Sequence, residues 1–427
     1  PGKPGGEMTR VIVVGAGAAG ILAAIKAAEN GARVLLLEKM AMPGRKLMIT
    51  GKGRCNITNA CDMRDMIPMI PGNGKFLFGA FHTFTNRDIM ELLEENGLPV
   101  KVERGGRVFP RSDRALDVVD TLKKILRKKK VELRTNTRVR DLVLEDGRVT
   151  GVVTGDGRTL AADAVVITTG GASYPRTGST GDGYGLAREA GHTIVPPRPA
   201  LVPLESDDPE IRALQGLSLR NVRGTLLQGS RVLGQEFGEM LFTHFGVSGP
   251  IILTLSRAAS TAWKKDPQAI LDLAIDLKPA LTPEQLDARI QRDFAKYSRK
   301  QLKAGLHDLL PQSLIPVIID AACLKPEQEV NQITRKERQR LVETLKAFMV
   351  PLSGTRPLAE AIVTAGGVST KEINPSTFAS KKVPNLYFAG EVMDVDGYTG
   401  GYNLQAAFSS GCVAGTHAAL DGKEESV

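Results

Sequence analysis

The chain has 427 residues, of which 42% are hydrophobic and 24% are charged, a balance typical of soluble globular proteins rather than disordered or fibrous ones. This length exceeds that of one typical core and predicts two or three domains. No stretch approaches 18 uninterrupted apolar residues, so we expect no transmembrane helix and no membrane partner. The formal net charge of +9 permits an anionic partner such as RNA without demonstrating one.

Cysteine usage bears on metal sites and on the cellular compartment. The cysteines are Cys55, Cys61, Cys323 and Cys412. They show no CxxC spacing and no cluster with the five histidines, so we expect no metal site. So few cysteines in so long a chain favour a reducing compartment, and we expect a cytoplasmic protein. Residues 1–7 resemble a vector remnant rather than a signal peptide, with Met8 the expected native start.

The first strong pattern, in residues 11–38, is strand, glycine turn, helix, strand and acid. Gly15 permits a tight turn, Gly17 lets the backbone approach a pyrophosphate, and Gly20 lets the helix pack close to the sheet. Glu38 ends the second strand and can accept hydrogen bonds from ribose hydroxyls. The pattern predicts a dinucleotide-binding unit. A glycine-rich turn in some other βαβ unit is the alternative, and the flanking strands and terminal acid make it the weaker one.

Residues 39–59 show no hydrophobic period, and basic side chains alternate with glycines between Gly44 and Arg54. This composition predicts a loop that brings cations and free backbone N–H groups to an anion. A solvated basic loop is the alternative. We favour the first because the loop directly follows the predicted ribose-binding acid.

Capping and turn signals place further elements. The sequence at 85–88 resembles a capping box and predicts a helix that ends near Gly97. Ser112 is a candidate cap for a second helix, which ends in the basic cluster 127–130. That cluster is either a solvated helix end, where cations favour the dipole, or an RNA contact. An Asp-Gly step within 145–148 predicts a β-hairpin.

Changes in composition predict the domain boundaries. Four prolines between 196 and 203 exclude a helix and indicate a domain crossing. The following residues favour short strands, and capping signals at 282–285 and 334–337 then predict helices. Near the C-terminus, residues 385–404 repeat the strand and glycine turn and lead into an Ala-rich helix, whose N-terminus can face another negative part of the same cofactor.

These stretches together resemble the two-dinucleotide-domain flavoproteins. Segment 43–59 in particular, Pro-Gly-Arg-Lys-Leu-Met-Ile-Thr-Gly-Lys-Gly-Arg-Cys-Asn-Ile-Thr-Asn, resembles the BaiN-type family of FAD-dependent oxidoreductases, also called the aminoacetone oxidase family. Supporting matches lie at 168–175, 238–250, 364–368 and 388–405. The resemblance extends over nearly the whole chain from Met8 onward.

The resemblance implies an α/β fold with a Rossmann-like FAD-binding domain at 8–194 and 356–421. It implies an inserted β-barrel-like domain at 195–277 and a small helical domain at 278–355. It also implies contacts to the pyrophosphate, ribose, adenine and flavin of FAD. The implied cofactor-binding residues are Gly15, Ala16, Gly17, Ala18, Ala19, Gly20, Glu38, Lys39, Arg45, Lys46, Gly53, Arg54, Asn56, Val139, Thr169, Gly170, Gly171, Gly390, Glu391, Asp394, Gly401, Tyr402, Asn403 and Leu404.

Similar proteins oxidise amines, reduce steroid-type substrates or form dihydrouridine in ribosomal RNA, so the resemblance implies the cofactor more narrowly than the substrate. The first hypothesis is reduction of uridine in ribosomal RNA with NAD(P)H as hydride source. The second is an FAD-dependent oxidase or reductase of a small amine or ketone, and the third is an FAD-stabilised RNA-binding module without turnover.

Cys55 is the candidate catalytic residue, because reduction of a C=C bond needs a positioned acid. Its basic neighbours are expected to lower the pKa of the thiol. The alternative is that Cys55 only packs as a small apolar residue.

Overall fold

A computed structural model describes residues 8–421. The chain forms two compact units, the first built from residues 8–198 and 358–421 and the second from residues 199–357. The predicted vector remnant at residues 1–7 lies outside the described residues. No helix within the described part of the chain is long and apolar enough to cross a membrane.

The strands, in chain order, are β1 (Arg10–Val14), β2 (Arg33–Leu37), β3 (Thr58–Asn59), β4 (Val100–Val102), β5 (Arg107–Pro110), β6 (Glu132–Arg134), β7 (Val139–Glu145), β8 (Arg148–Thr154), β9 (Thr159–Ala161), β10 (Ala164–Ile167), β11 (Ile194–Ala200), β12 (Leu204–Glu205), β13 (Ser218–Gln228), β14 (Arg231–Thr243), β15 (Gly246–Ser248), β16 (Leu271–Asp276), β17 (Phe348–Leu352), β18 (Gly354–Thr355), β19 (Val363–Val368) and β20 (Leu386–Phe388).

The α-helices, in chain order, are α1 (Ala18–Glu29), α2 (Arg45–Ile49), α3 (Met63–Met66), α4 (Phe78–Thr83), α5 (Asn86–Glu95), α6 (Ala115–Lys128), α7 (Asp182–Glu189), α8 (Pro209–Ala213), α9 (Pro250–Lys265), α10 (Pro283–Lys296), α11 (Leu302–Gly305), α12 (Ile315–Ala321), α13 (Arg335–Lys346) and α14 (Tyr402–Asp421).

The first unit is centred on a parallel sheet with strand order β20-β10-β1-β2-β6. Its strands are short apolar runs buried on both faces, as expected for a parallel sheet covered by helices. Because these strands are parallel, their carboxyl ends lie at one edge of the sheet. The turns that follow β1, β2, β10 and β20 therefore meet at that edge, and they carry most of the predicted cofactor residues.

Helices α1 and α14 pack closely because small residues line their contact. A Cβ atom at Gly411 would lie 2.2 Å from the Ala19 carbonyl oxygen, and one at Gly415 would lie 2.1 Å from that of Ala23. The spacing of four residues places both glycines on one face of α14. Any side chain at either position would force the two helices apart.

The predicted hairpin is confirmed. Strands β7 and β8 pair antiparallel and are joined by Asp146 and Gly147, which have φ of 49° and 79°. Two successive residues with positive φ form the turn that suits the right-handed twist of a two-residue hairpin. Strand β9 extends this sheet to three strands.

The predicted capping boxes are all present: Thr85 caps α5, Thr282 caps α10 and Thr334 caps α13. The predicted cap at Ser112 is wrong. Helix α6 begins three residues later, with Arg114 at its N-cap position and no side-chain cap. The reason is Asp113, whose φ of 54° interrupts the helix.

The basic loop after β2 is also more regular than predicted, because α2 and a 3-10 turn at Thr50–Gly53 occupy its middle.

The second unit contains a seven-stranded sheet with order β17-β16-β13-β14-β15-β12-β18. The two edge strands, β17 and β18, are separated in sequence by Ser353 alone, so the sheet must curve until its edges adjoin. This geometry agrees with the expected barrel-like architecture. Two features differ from the sequence prediction: β13 and β14 are 11 and 13 residues long rather than short, and α9 follows β15.

One hydrophobic cluster in this unit includes Leu226 and Leu273 of the strands together with Leu286 and Ile290 of α10. The predicted boundary between 277 and 278 thus falls inside one compact unit. The division of that unit into separate β-rich and helical domains stays a prediction.

Candidate cofactor site

The glycine turn after β1 has the geometry that its three roles require. A Cβ at Gly15 would lie 2.7 Å from the Thr168 carbonyl oxygen, and one at Gly20 would lie 1.8 Å from the Gly15 carbonyl oxygen. A Cβ at Gly17, in contrast, would have no described atom within 4 Å. Gly15 and Gly20 are therefore required by the fold, whereas Gly17 borders open space where a pyrophosphate can approach.

Helix α1 begins at this turn. Its N-cap residue is Gly17, and no side chain caps its first backbone N–H groups. The unpaired N–H groups and the positive end of the helix dipole make this terminus suitable for a phosphate.

Glu38 lies at the end of β2 with its carboxylate fixed. Its Oε2 accepts a hydrogen bond from the Ala16 N–H at 2.9 Å, and its Oε1 accepts one from the Met40 N–H at 2.8 Å. Each carboxylate oxygen has a second lone pair for a ribose hydroxyl. The Thr137 N–H donates to the Glu38 carbonyl at 2.8 Å, which brings the start of β7, and hence Val139, to the same edge.

Lys39, the next predicted residue, is occupied by protein groups. Its Nζ pairs with Asp182 Oδ2 at 2.9 Å and donates to Thr180 Oγ1. Burial alone would raise the pKa of Asp182, but the hydrogen bond and charge of Lys39 outweigh it and lower that pKa. The pair holds the turn before α7 against the end of β2.

The two basic residues at the start of α2, Arg45 and Lys46, differ in whether they form ion pairs. Lys46 Nζ donates to Ser173 Oγ and pairs with Glu391 Oε2, both at 2.8 Å. This contact joins α2 to the segments that follow β10 and β20, which are distant in the sequence. Arg45 is half-buried and has no ion pair within residues 8–421. A half-buried cation without an acidic partner suits an anionic ligand.

The segment after α2 has an unusual backbone. Gly51, Lys52, Gly53 and Cys55 all have φ between 57° and 82°. Positive φ is uncommon for residues other than glycine, and such strain clusters at functional sites. Gly53 is exposed within this segment.

Arg54, the basic residue next to Cys55, is paired with carboxylates of the protein. The Arg54 guanidinium lies 2.6 Å from Asp113, also pairs with Glu103 and stacks 4.0 Å from the centroid of the Phe109 ring. Its charge is compensated by these carboxylates, so it is less suited to a cofactor phosphate than predicted.

The expectation that its neighbours lower the Cys55 pKa is wrong. The thiol is fully buried, and burial raises its pKa to about 12, which the hydrogen bond with Thr50 offsets only in part. Cys55 belongs to the hydrophobic core of the first unit, which favours the packing interpretation. Its catalytic role stays a prediction.

The C-terminal glycine turn lies against the strained segment. The Asn56 side chain donates to the carbonyls of Thr58 and Val108 and accepts from the Gly401 N–H at 3.0 Å. Asn403 accepts from the Gly397 N–H and donates to the Gly397 carbonyl, both at 2.8 Å. These two amides are therefore satisfied by the protein. Tyr402 is buried and Leu404 half-buried at the start of α14.

The turn after β10 and the start of α7 each supply an unsatisfied polar group. Thr169 Oγ1 and Tyr184 Oη are buried and have no hydrogen-bond partner within the described part of the chain. Buried polar groups are rarely left unpaired, so these two hydroxyls are candidates for hydrogen bonds to a bound ligand. Gly170 and Gly171 follow, and a Cβ at Gly171 would lie 2.4 Å from Thr364 Oγ1.

Glu391 completes this region. Its Oε1 accepts a hydrogen bond from the Thr364 N–H at 2.7 Å. The Glu391 carboxylate therefore contacts both β19 and Lys46. Gly390 precedes it, and its N–H donates to Ser410 Oγ at 3.0 Å. Burial is the main cause of the raised pKa of Asp394, which accepts a hydrogen bond from Asn73 at 3.1 Å.

Sequence reasoning did not identify Ser173, Thr364 or Tyr184 as individual site residues. Ser173 and Thr364 lie in the segments 168–175 and 364–368 that carry the family resemblance, which is the signal that could have identified them. No such signal marks Tyr184, a residue in the first turn of α7.

The residues therefore fit a dinucleotide such as FAD. Five features lie at one edge of the sheet: the open position at Gly17, the uncapped N-terminus of α1, the fixed carboxylate of Glu38, the unpaired Arg45 and the buried, unsatisfied hydroxyl of Thr169. This combination matches a negatively charged diphosphate flanked by polar nucleoside groups.

Comparison with known proteins agrees with an FAD-binding site. The protein-family model described as the HI0933-like protein Rossmann domain matches residues 9–417. The chain is 32% identical to the 3-dehydro-bile acid delta(4,6)-reductase of Clostridium scindens, covering 96% of this chain and 99% of that protein. It is also 32% identical to the ribosomal RNA dihydrouridine synthase of Escherichia coli, over 95% and 96% of the two chains.

A solved structure shows the same fold at lower identity. The 3-ketosteroid-delta4-(5alpha)-dehydrogenase of Rhodococcus jostii RHA1 superposes with a TM-score of 0.53 at 18% identity, covering 96% of this chain and 97% of that one. On the family match, the full-length relatives and the geometry of the sheet edge, this chain belongs to the HI0933-like family of FAD-dependent oxidoreductases.

Proposed function

We propose that this oxidoreductase reduces uridine in ribosomal RNA to dihydrouridine, with NAD(P)H as the hydride source. The observation that carries the proposal is the full-length match to the E. coli ribosomal RNA dihydrouridine synthase, over 95% of this chain and 96% of that protein. Both units of the chain thus have a counterpart in the relative. A cytoplasmic location stays a prediction and accords with such a substrate.

Reduction of a C=C bond needs a hydride at one carbon and a proton at the other. When bound, FAD supplies the two-electron chemistry. The chain's own task is to bind and orient. The turn at Gly15 and Gly17 and the α1 terminus would hold the pyrophosphate, Glu38 the ribose and Arg45 a phosphate charge. The Lys46–Glu391 pair ties α2 to the turn after β20.

The second candidate is reduction of a small molecule that contains a ketone. The specific observation in its favour is the equal identity, 32%, to the C. scindens bile acid reductase over 99% of that protein. An FAD-dependent oxidase of a small amine has no comparable support. The non-catalytic RNA-binding module is disfavoured because the full-length relatives reported above are enzymes by name, a reductase and a dihydrouridine synthase.

A deletion strain separates the first two candidates. Ribosomal RNA from cells that lack the gene is digested and scanned by mass spectrometry for dihydrouridine. We expect one or more dihydrouridines to disappear and to return on complementation. An unchanged modification pattern would overturn the proposal and favour the small-molecule candidate. Anaerobic mixing of the purified holoprotein with NADH or NADPH then identifies the hydride source from the loss of flavin absorbance.

A further inference from the structure

Two clusters of cations are candidates for contact with RNA, and the structure distinguishes them. The first is the 127–130 cluster at the end of α6. There Lys129 pairs with Glu29 at 3.0 Å, and Lys128 donates to Asn96 Oδ1 at 2.8 Å. At least these two ammonium groups are already engaged by the protein, which favours the solvated helix end over an RNA contact.

The second cluster lies in the second unit, at the end of α10 and the start of α11. We define the 292–303 surface as the five basic residues that flank Tyr297 in this segment: Arg292, Lys296, Arg299, Lys300 and Lys303. Arg292, Arg299, Lys300 and Lys303 are exposed and form no ion pair within residues 8–421. Unpaired exposed cations keep their full attraction for phosphates, since no carboxylate must be displaced.

Acidic groups near this surface are few and identifiable. Asp308 pairs with Lys296 at 2.7 Å and accepts a hydrogen bond from the Tyr297 hydroxyl at 2.9 Å. Glu329 lies opposite Gln301 in an isolated β-bridge, and Glu327 is exposed nearby in sequence. Asp293, within the same segment, already pairs with Arg289 at 3.0 Å. The five cations of the surface outnumber Asp308, Glu327 and Glu329, so the local charge is positive.

An aromatic ring lies beside two of these cations. The ammonium groups of Lys296 and Lys300 lie 4.9 and 5.4 Å from the centroid of the Tyr297 ring. The ring is half-buried. Aromatic rings within a basic surface are the usual platform on which unpaired bases stack while cations contact the backbone phosphates.

The backbone that carries these side chains is anchored. The Val330 N–H donates to the Lys300 carbonyl at 2.9 Å, and the Leu302 N–H donates to the Gln328 carbonyl at 2.8 Å. Leu302 and Phe294 are buried beneath the surface. The cations are thus displayed on a fixed scaffold rather than on a solvated tail.

We infer that the 292–303 surface is the docking surface for a single-stranded or looped RNA segment, with Tyr297 stacking on a base. The inference rests on the proposed function, since it assumes that the substrate is RNA. It assigns substrate docking to the second unit, whereas the cofactor residues lie in the first.

The test compares two triple charge reversals in the full-length holoprotein. One carries Arg299→Glu, Lys300→Glu and Lys303→Glu. The matched control carries Arg127→Glu, Lys128→Glu and Lys130→Glu, which changes the net charge equally and keeps the Lys129–Glu29 pair. The probe is total ribosomal RNA from a strain that lacks the gene, and binding is measured by filter retention across a salt series.

We expect the first variant to bind roughly tenfold or more weakly and to reduce the salt slope by about two to three, because three phosphate contacts are lost. The control should change affinity less than about threefold. Flavin content and reduction by NAD(P)H report that both variants are folded. Tyr297→Leu should also weaken binding, with the salt slope unchanged, because stacking is lost without loss of charge.

Equal binding by the two reversals would overturn the docking surface while leaving the proposed function intact. Absence of RNA binding by the unmodified protein would overturn both. Selective loss of binding by the first variant, combined with an unchanged dihydrouridine pattern in the deletion strain, would support the surface and overturn the proposed reaction.

Discussion

The two glycine turns that lead into α1 and α14 look alike in sequence and differ in what surrounds them. At the first, a Cβ on Gly17 would have no described atom within 4 Å. At the second, a Cβ on Gly401 would lie 2.3 Å from the carbonyl group of Thr58, and the Gly401 N–H is bound by Asn56. The first turn thus presents its backbone to open space, whereas the second uses its backbone to hold the protein together.

The comparison shows that a glycine-rich turn before a helix does not by itself indicate a ligand. The same residue type leaves room for a close approach by a ligand in one place and permits a close approach by the chain in another. The sequence prediction that the α14 terminus faces the cofactor stays a prediction. Substitutions at the two turns should therefore fail in different ways.

The largest effect is expected at the first turn. Gly17→Val should abolish FAD binding, because the branched side chain would occupy the space needed by the pyrophosphate. The apoprotein should keep its fold, since no protein atom is displaced. The purified variant should be colourless, with an unfolding temperature equal to that of apoprotein prepared from the unmodified chain.

Gly185→Val is the matched control, because its Cβ would also meet no described atom and it lies within α7. This variant should retain its flavin. A yellow Gly17→Val protein with normal flavin content would contradict the assignment of the first turn to the pyrophosphate.

The next largest effect is expected at the second turn. Gly401→Ala should lower the free energy of unfolding by about 2–4 kcal/mol, because it adds an overlap with Thr58 to the strain of a φ of 98°. Gly97→Ala isolates the strain, since Gly97 has a φ of 92° and no described neighbour within 4 Å. That control should cost about 1 kcal/mol. Urea unfolding of both variants checks the difference, and equal losses would show that the second turn can relax.

Much of the first unit could be predicted because its signals are local. The turn at Gly15, Gly17 and Gly20 and the cap at Thr85 depend on residues that are close together in sequence. The contacts of the candidate site are not local. Lys46 and Glu391 are 345 residues apart, and no periodicity indicates that they meet.

The same limit explains the wrong inference about the Cys55 thiol. The acids that compensate Arg54 are Glu103 and Asp113, which lie far along the chain and reach it only through the fold. Proximity in sequence suggested a basic environment, whereas the structure provides a compensated cation and a buried thiol.

The smallest effect is expected at Cys55, next to the Asn56 side chain that binds the second turn. Because burial raises the pKa of Cys55 to about 12, the thiol should stay neutral and resist iodoacetamide at pH 8, whereas the exposed Cys323 should be alkylated. Cys55→Ala should retain FAD and lose only about 1 kcal/mol of stability, as expected for a small buried side chain. Mass spectrometry of alkylated peptides tests the first expectation, and flavin content with urea unfolding tests the second.

If Cys55→Ala keeps its flavin and its reduction by NAD(P)H but forms no product, packing is not the whole role of this residue. That result would favour the thiol as the proton donor of the proposed reaction.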